Sequence, residues 1–547
     1  MVVTGPASGV SATATTLSGP GTLPAPALYR EALINLQNAS ALDGGTGRWP
    51  DALVPDVDAF AGERRNAFPF DVPAGESRAI WVEVKVPADA APGSYQGSVR
   101  VTWSGGSADV PVALTVWPFT LPATASLKSA FSFSWGAIPS EHGLSAGDAY
   151  SRLRVRYGQL ALMNRVTLSH VDDGNASLAH LDQFYGASLD GTDPALDGAR
   201  MTSFELMGPA SSWAPYFQGQ GWLDRLFQYT CDEPPLTCAW SDIPARAKVA
   251  RDATPSVRTL VTTTIQEAND HGVASSIDIM VPVVNYMEDR PGMGRFSGSQ
   301  RAAYDSFLAA SPRRELWMYQ SCMSHGCGGT VNFGSPSASD QYFTGWPSYV
   351  IDASAVRNRA MQWLDFRFGV TGELYFETAM AYGHDPWTNQ WDFSGNGDGT
   401  LFYPGTPAKI GGTTHIPVAS LRLAQIRDGM EDYEYLKLLS DLGDGAGAQA
   451  IAARLFPHAY QTEAAPADLA AARQELAERI IAIVAPGTPT DPPNPGDPTP
   501  TPTPDPGTDP VPTPAASNAA GGCNAGGAAG LLALLGLAGA LRRRRRS

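Results

Sequence analysis

The feature that most limits what this chain can fold into is a change of period near residue 126. Before it, short stretches alternate apolar and polar residues, as half-buried strands require. Ala79-Ile80-Trp81-Val82-Glu83-Val84-Lys85-Val86-Pro87, Ser98-Val99-Arg100-Val101-Thr102-Trp103 and Val110-Pro111-Val112-Ala113-Leu114-Thr115-Val116-Trp117 all do so. Pro92-Gly93 and Ser104-Gly105-Gly106 supply turns between them. Short strands at this spacing predict a β-sandwich over residues 1–122. Beyond it, helical stretches such as 149–163 and 301–310 alternate with short apolar runs at 259–263, 277–284, 315–319 and 372–378. Alternation of strand and helix over roughly 300 residues predicts a (β/α)8 barrel or a close variant, residues 123–485. Ala419, Leu423, Ile426, Met430 and Tyr433 share one helical face and predict a helix over 417–439. A last helix is expected over 466–484. The fold class is therefore all-β followed by α/β.

Composition narrows the partners. The net charge is −16, and −21 once Arg542 to Arg546 at the very end are set aside. So acidic a body argues against nucleic acid. There is no Gly-rich phosphate loop and no zinc-spaced Cys/His set, so neither cofactor nor metal is expected. Cys231 with Cys238, and Cys322 with Cys327, are close enough in sequence to close short disulfide loops in an exported protein; free buried thiols are the alternative.

The C-terminus reads as an address. Residues 486–516 are rich in Pro, Thr, Asp and Gly, a composition that cannot bury a core and makes an extended spacer. Residues 517–547 hold Gly522-Cys523, an apolar run over 525–541 and the five arginines. At 1.5 Å per residue that run spans about 26 Å, slightly short of a bilayer core, and the arginines would stay cytoplasmic. This tail resembles the C-terminal sorting signals of exported myxobacterial proteins. The resemblance implies a sorting protease acting near Cys523, modification of that cysteine and retention at the outer surface. A single-span membrane anchor is the alternative. Met1 to Pro20 shows neither a basic nor an apolar signal region. Export would then imply either a true start upstream or export without a conventional signal.

The chemistry centres on Asp232-Glu233, which follow the run Leu226-Phe227-Gln228-Tyr229-Thr230-Cys231 and stop at Pro234-Pro235. Neighbours on a regular strand face opposite sides, so two adjacent carboxylates serve one site only where the strand breaks. The following proline pushes Glu233 toward extended geometry and ends the ladder. That puts the pair at a strand's C-terminal end, where barrel active sites lie. A solvated acidic turn is the alternative.

Several segments in order resemble the glycoside hydrolase family 123 and DUF4091 group over about residues 30–440. They are Val86-Pro87 with Pro92-Gly93-Ser94-Tyr95-Gln96-Gly97; Trp117-Pro118-Phe119-Thr120-Leu121-Pro122; Tyr229 through Pro234; Asn396-Gly397-Asp398-Gly399-Thr400-Leu401-Phe402-Tyr403-Pro404-Gly405; and Arg422 with Arg427-Asp428-Gly429-Met430-Glu431-Asp432-Tyr433-Glu434-Tyr435-Leu436. Characterised members are β-N-acetylgalactosaminidases. The resemblance implies a glycan substrate bearing a 2-acetamido sugar, Glu233 as general acid/base and Asp232 as its partner in substrate-assisted, retaining hydrolysis. Cysteines flanking the pair and an insert at 235–240 depart from the pattern. A glycosidase of other specificity and a non-catalytic glycan-binding surface protein are the competing readings.

Around the pair, Tyr229 belongs to the catalytic segment. Asn285-Tyr286 either hydrogen-bond the sugar or cap a loop. Trp317 and Tyr319 share a strand face and form either a stacking wall or core. Glu377 follows the 374–376 run, and Trp387 and Trp391 are expected on the pocket wall. Asn396-Gly397-Asp398-Gly399 lacks the full calcium-ligand ladder and reads as a structured turn. The helix around Glu431-Asp432-Tyr433 reads as structural, its charges paired at the barrel base.

Overall fold

The computed structural model describes residues 1–169, 177–322, 327 and 331–485. The spacer at 486–516 and the tail with Cys523 lie outside the described residues. No helix among the described residues is long and apolar enough to cross a membrane.

The period-2 front forms two antiparallel sheets. One orders Val2–Thr4, Ser77–Glu83, Ala27–Leu36 and Gly47–Pro55. The other is built around Gly93–Trp103, which pairs with Gly106–Val116 across the turn at Ser104-Gly105. Val10, Leu28, Val72, Ile80, Val99 and Val101 fill the space between. The strand expected over 79–87 is Ser77–Glu83.

The second part is a parallel barrel. Its strands are β1 (Lys128–Phe131), β2 (Phe204–Glu205), β3 (Leu226–Cys231), β4 (Arg258–Val261), β5 (Ile279–Met280), β6 (Glu315–Tyr319) and β7 (Gly372–Tyr375). They pair in the order β1-β7-β6-β5-β4-β3-β2. The gap between β1 and β2 is spanned by residues 166–169, which make one parallel bridge, Phe131 to Leu168. There Ser169 N–H donates to Phe131 O at 3.1 Å and Glu205 N–H to Ser169 O at 3.0 Å. Hydroxyls replace part of the missing ladder: Ser129 N–H donates to Thr202 Oγ1, Thr167 N–H to Ser129 Oγ and Thr202 N–H to Thr167 Oγ1, at 2.9–3.0 Å. Seven regular strands and one irregular segment thus make a nearly closed barrel of the expected kind. Alternation sorts the side chains. Phe227, Leu260, Ile279, Trp317 and Leu374 fill the barrel, while Leu226, Val261, Met280, Leu316 and Tyr375 face the helices.

Several boundaries differ from expectation. The strand expected over 277–284 keeps only Ile279–Met280, because Pro282 removes a ladder donor and Val284–Met287 coils into a helical turn. The 301–310 helix is a 3-10 turn, Arg301–Tyr304, continued by Asp305–Ala309. The helix expected over 417–439 is Leu421–Leu439, capped by Ser420, whose hydroxyl accepts from Leu423 N–H at 3.1 Å. Ile416–Ala419 before it pairs as a strand with Phe402–Gly405. The last helix, Pro466–Val484, lies where expected.

The helix Leu421–Leu439 ties the two parts into one compact unit, Met1–Pro486. Arg422 reaches Asp51 of the sandwich with both ends of its fork, Nε to Oδ1 at 2.9 Å and Nη2 to Oδ2 at 2.7 Å. The Tyr403 hydroxyl donates to the same carboxylate at 2.6 Å. Arg427 meets Glu83 at 2.7 Å, Arg359 and Arg473 meet Asp432, and Glu434 accepts from Ser126 N–H at 2.6 Å. The charged signature of this helix is spent on structure, as its sequence suggested.

Candidate active site

Strand β3 ends in two local breaks that aim its last residues. Its register against β4 shifts between Tyr229 and Cys231, a bulge centred on Thr230. Such an extra residue re-aims the side chains that follow. Tyr229 and Asp232 consequently meet, the Tyr229 hydroxyl donating to Asp232 Oδ1 at 2.8 Å. Glu233 then adopts φ +45°. The extended geometry expected before Pro234 is not what the structure holds; Glu233 is in the left-handed region instead. That conformation costs a residue with a side chain about 1 kcal/mol or more and persists only where its surroundings fix it.

The surroundings do fix it. Thr262, just past β4, accepts from Glu233 N–H through Oγ1 at 2.6 Å and donates to Asp232 Oδ1 at 3.1 Å. Thr237 Oγ1 accepts from Asp232 N–H at 3.1 Å and donates back to Asp232 O. Leu236 N–H donates to Glu233 O at 2.8 Å. A disulfide, Cys231–Cys238, closes the turn; a second disulfide joins Cys322 and Cys327. Across the barrel mouth the Tyr319 hydroxyl, from the end of β6, donates to Glu233 Oε1 at 2.5 Å.

Both phenols are held as donors. Burial first, then the Asp232 charge, pushes the Tyr229 hydroxyl well above its usual range. Burial first, then the Glu233 charge, does the same to Tyr319. Each therefore keeps its proton and offers it to a carboxylate. Asp232 and Glu233 themselves are half-buried at the C-terminal face.

The other predicted residues divide. Asn285 is buried on the turn Val284–Met287, and its amide donates to the Tyr342 hydroxyl at 3.0 Å. Tyr286 borders the barrel interior and packs edge-on to Phe296 at 5.6 Å. Trp317 is 1% exposed, inside the barrel, with its indole N–H on Glu315 at 2.8 Å. It is packing and not a stacking wall, because its position on β6 lies two residues below the mouth. Glu377 accepts from three backbone N–H groups, those of Ser134, Thr378 and Ala379, at 2.8–3.1 Å. It pins the end of β7 to the segment after β1. Trp387 sits away from the pair: its indole N–H donates to Pro404 O at 3.1 Å and it packs with Ala52, Val54 and Tyr403 at the sandwich face. Trp391 lies on a short hairpin with Asn396. Asp398 is fully buried in the turn at 396–399, accepting from Cys322 N–H and the Tyr375 hydroxyl. Burial pushes its carboxyl up to about 7. Among the described residues no group of three or more His, Cys, Asp or Glu side chains is arranged to hold a metal ion.

Sequence reasoning missed Thr262 and Thr237. The signal for Thr262 was present in the polar run Thr262-Thr263-Thr264 closing an apolar strand at the barrel mouth.

Comparison with known proteins bears on the fold. Residues 35–103 match the family model of the glycoside hydrolase 123 N-terminal domain. The fold is similar to that of a family 123 glycoside hydrolase from Clostridium perfringens, studied for glycolipid glycan hydrolysis. The match covers 87% of this chain and 88% of that one, with a TM-score of 0.57 and 12% identity. A family 39 glycoside hydrolase from the gut symbiont Bacteroides cellulosilyticus WH2 matches more loosely, over 78% and 82%, with a TM-score of 0.33 and 10% identity. No curated protein matches the chain. The family model thus reaches residues 35–103 alone, and over the rest of the body the likeness is one of fold.

Proposed function

We propose that this protein is a retaining β-N-acetylhexosaminidase, acting on β-linked N-acetylgalactosamine through substrate-assisted catalysis. The observation that carries the reading is the joint anchoring of Asp232 and Glu233 at one barrel mouth, by Tyr229 and Thr262 on one side and Tyr319 on the other. Ordinary retaining hydrolysis needs two carboxylates facing each other across the scissile bond, one as nucleophile. Consecutive residues on one turn are poorly disposed for that. A 2-acetamido sugar removes the need.

In this reading the acetamido oxygen attacks C1 and the bond from C1 to the leaving oxygen breaks. Glu233 passes its proton to that oxygen. Asp232 accepts the acetamido N–H and stabilises the positive charge that develops on the oxazolinium ring. Glu233, now a carboxylate, takes a proton from water as the water attacks C1. The ring reopens, the acetamide is restored and the configuration at C1 is retained. The donors on both carboxylates fix their orientation before substrate arrives, which is where positioned groups gain most.

The two disulfides suit an oxidising compartment. Surface retention through residues 517–547, with processing near Cys523, completes the proposal on sequence grounds. The structurally similar Clostridium perfringens enzyme hydrolyses glycolipid glycans, so glycolipid-borne glycans belong on the substrate panel.

The test is nitrophenol release from the β-N-acetylgalactosaminide and β-N-acetylglucosaminide by the full chain, beside Glu233→Gln and Asp232→Asn. The expected result is turnover of the galactosaminide that falls about 10²–10⁴-fold in Glu233→Gln, as loss of a general acid predicts. Full activity in either variant contradicts the roles of Glu233 as acid/base and Asp232 as acetamido partner.

A further inference from the structure

Leu236 is 51% exposed, three residues past Glu233. A single exposed leucine is ordinary. This one differs in where it sits and how firmly it is held. Its N–H closes a four-residue turn onto Glu233 O at 2.8 Å, which keeps the two Cα atoms within about 7 Å. The Cys231–Cys238 disulfide encloses that turn, and the Thr237 hydroxyl bridges the N–H and C=O of Asp232 within it. A surface so constrained loses little freedom when a ligand settles on it.

Two more large apolar side chains are exposed in segments that follow barrel strands. Met293 (43%) follows β5 and Phe333 (57%) follows β6. The Met293 loop also carries Phe296, which packs on Tyr286. Tyr286 in turn borders the barrel interior. Segments leaving β3, β5 and β6 each carry an exposed apolar side chain, and the one after β3 is the one tied to Glu233.

We propose that Leu236 contacts the aglycone and makes the enzyme prefer leaving groups with an apolar face, aryl or alkyl, over small or charged ones. The inference rests on the hexosaminidase reading. A general acid must come within about 2.6–3.2 Å of the oxygen it protonates. The group on the far side of that oxygen then passes beside the turn that begins at Glu233. The Asp232 carboxylate beside that turn disfavours an anionic aglycone as well.

The experiment compares kcat/KM for 4-nitrophenyl and methyl β-N-acetylhexosaminides with the full-length wild type, Leu236→Asp and Leu236→Phe. Leu236→Asp should lower kcat/KM for the nitrophenyl glycoside about tenfold, the scale of a lost apolar contact in a specificity site, and change the methyl glycoside far less. Leu236→Phe should keep or raise the nitrophenyl preference, which also shows that changing this exposed position leaves the fold intact. Equal losses on both substrates, or an unchanged ratio, overturn the inference while the hydrolase reading stands. A wild type that turns over neither substrate overturns both.

Discussion

Tyr319 and Glu233 are 86 positions apart in the chain, yet the Tyr319 hydroxyl donates to Glu233 Oε1 at 2.5 Å. The contact spans β6 to the end of β3 and orients the carboxyl from across the barrel mouth. A hydrogen bond to a charged group is worth about 1.5–3 kcal/mol. Tyr319→Phe is therefore expected to lower kcat/KM by about 10–100-fold while circular dichroism and thermal unfolding stay near wild type. Steady-state kinetics on a nitrophenyl substrate checks it; unchanged kcat/KM would remove Tyr319 from the site.

The Cys231–Cys238 disulfide should matter to activity more than to the fold. It closes a loop of separation 7 around both carboxylates, and a short loop gives only about 2–3 kcal/mol of stabilisation. Cys231→Ser/Cys238→Ser is expected to remain folded yet lose most of its kcat, because the left-handed Glu233 loses one of its constraints. Activity beside a denaturant titration separates the two effects.

How much of the molecule was legible in the sequence depended on the kind of signal. The strand-then-barrel order followed from period alone, and the acidic pair at a strand end followed from the proline after it. The conformation of Glu233 did not, because Pro234 argues for extended geometry and only the Thr262, Thr237 and disulfide constraints override that. Trp317 and Tyr319 are both aromatic and share a face, so pattern gave them one role. Depth along β6 separates them, placing Trp317 in the core and Tyr319 on the acid. Trp387 resembled a pocket wall because it follows β7, but the chain there turns toward the sandwich. The helix over 417–439 came out four residues short because an apolar run, Ile416–Ala419, satisfies both periods and Ser420 decides between them.

The Arg422–Asp51 pair joins the two parts of the body and is nearly fully buried. Removing one partner leaves an uncompensated charge, so Asp51→Ala should cost about 3–5 kcal/mol. Urea unfolding checks it. A loss below about 1 kcal/mol, the range of an exposed pair, would show that the two parts do not depend on this contact.

His142 gives a signed pH prediction. Its ring meets Tyr157 OH at 2.8 Å and the His415 ring at 3.1 Å. Burial first, then the neighbouring His415, lowers its pKa to about 3. The folded state thus holds it neutral where the unfolded chain binds a proton. Its contribution to stability is full above about pH 6.5 and falls as pH drops from there toward about 3, by up to about 1.4 kcal/mol per unit. His142→Gln should flatten this slope in denaturant titrations between about pH 6.5 and 4. An unchanged slope would assign the acid sensitivity elsewhere.

The most direct test of substrate-assisted catalysis is a series of 4-nitrophenyl β-N-acetylgalactosaminides in which the acetamido methyl carries zero, one, two or three fluorines. Fluorine withdraws electrons from the acetamido oxygen. If that oxygen is the nucleophile beside Asp232, kcat/KM falls steeply and steadily along the series. If kcat/KM is flat across it, the acetamido group takes no part in bond making, and the division of labour between Asp232 and Glu233 is wrong.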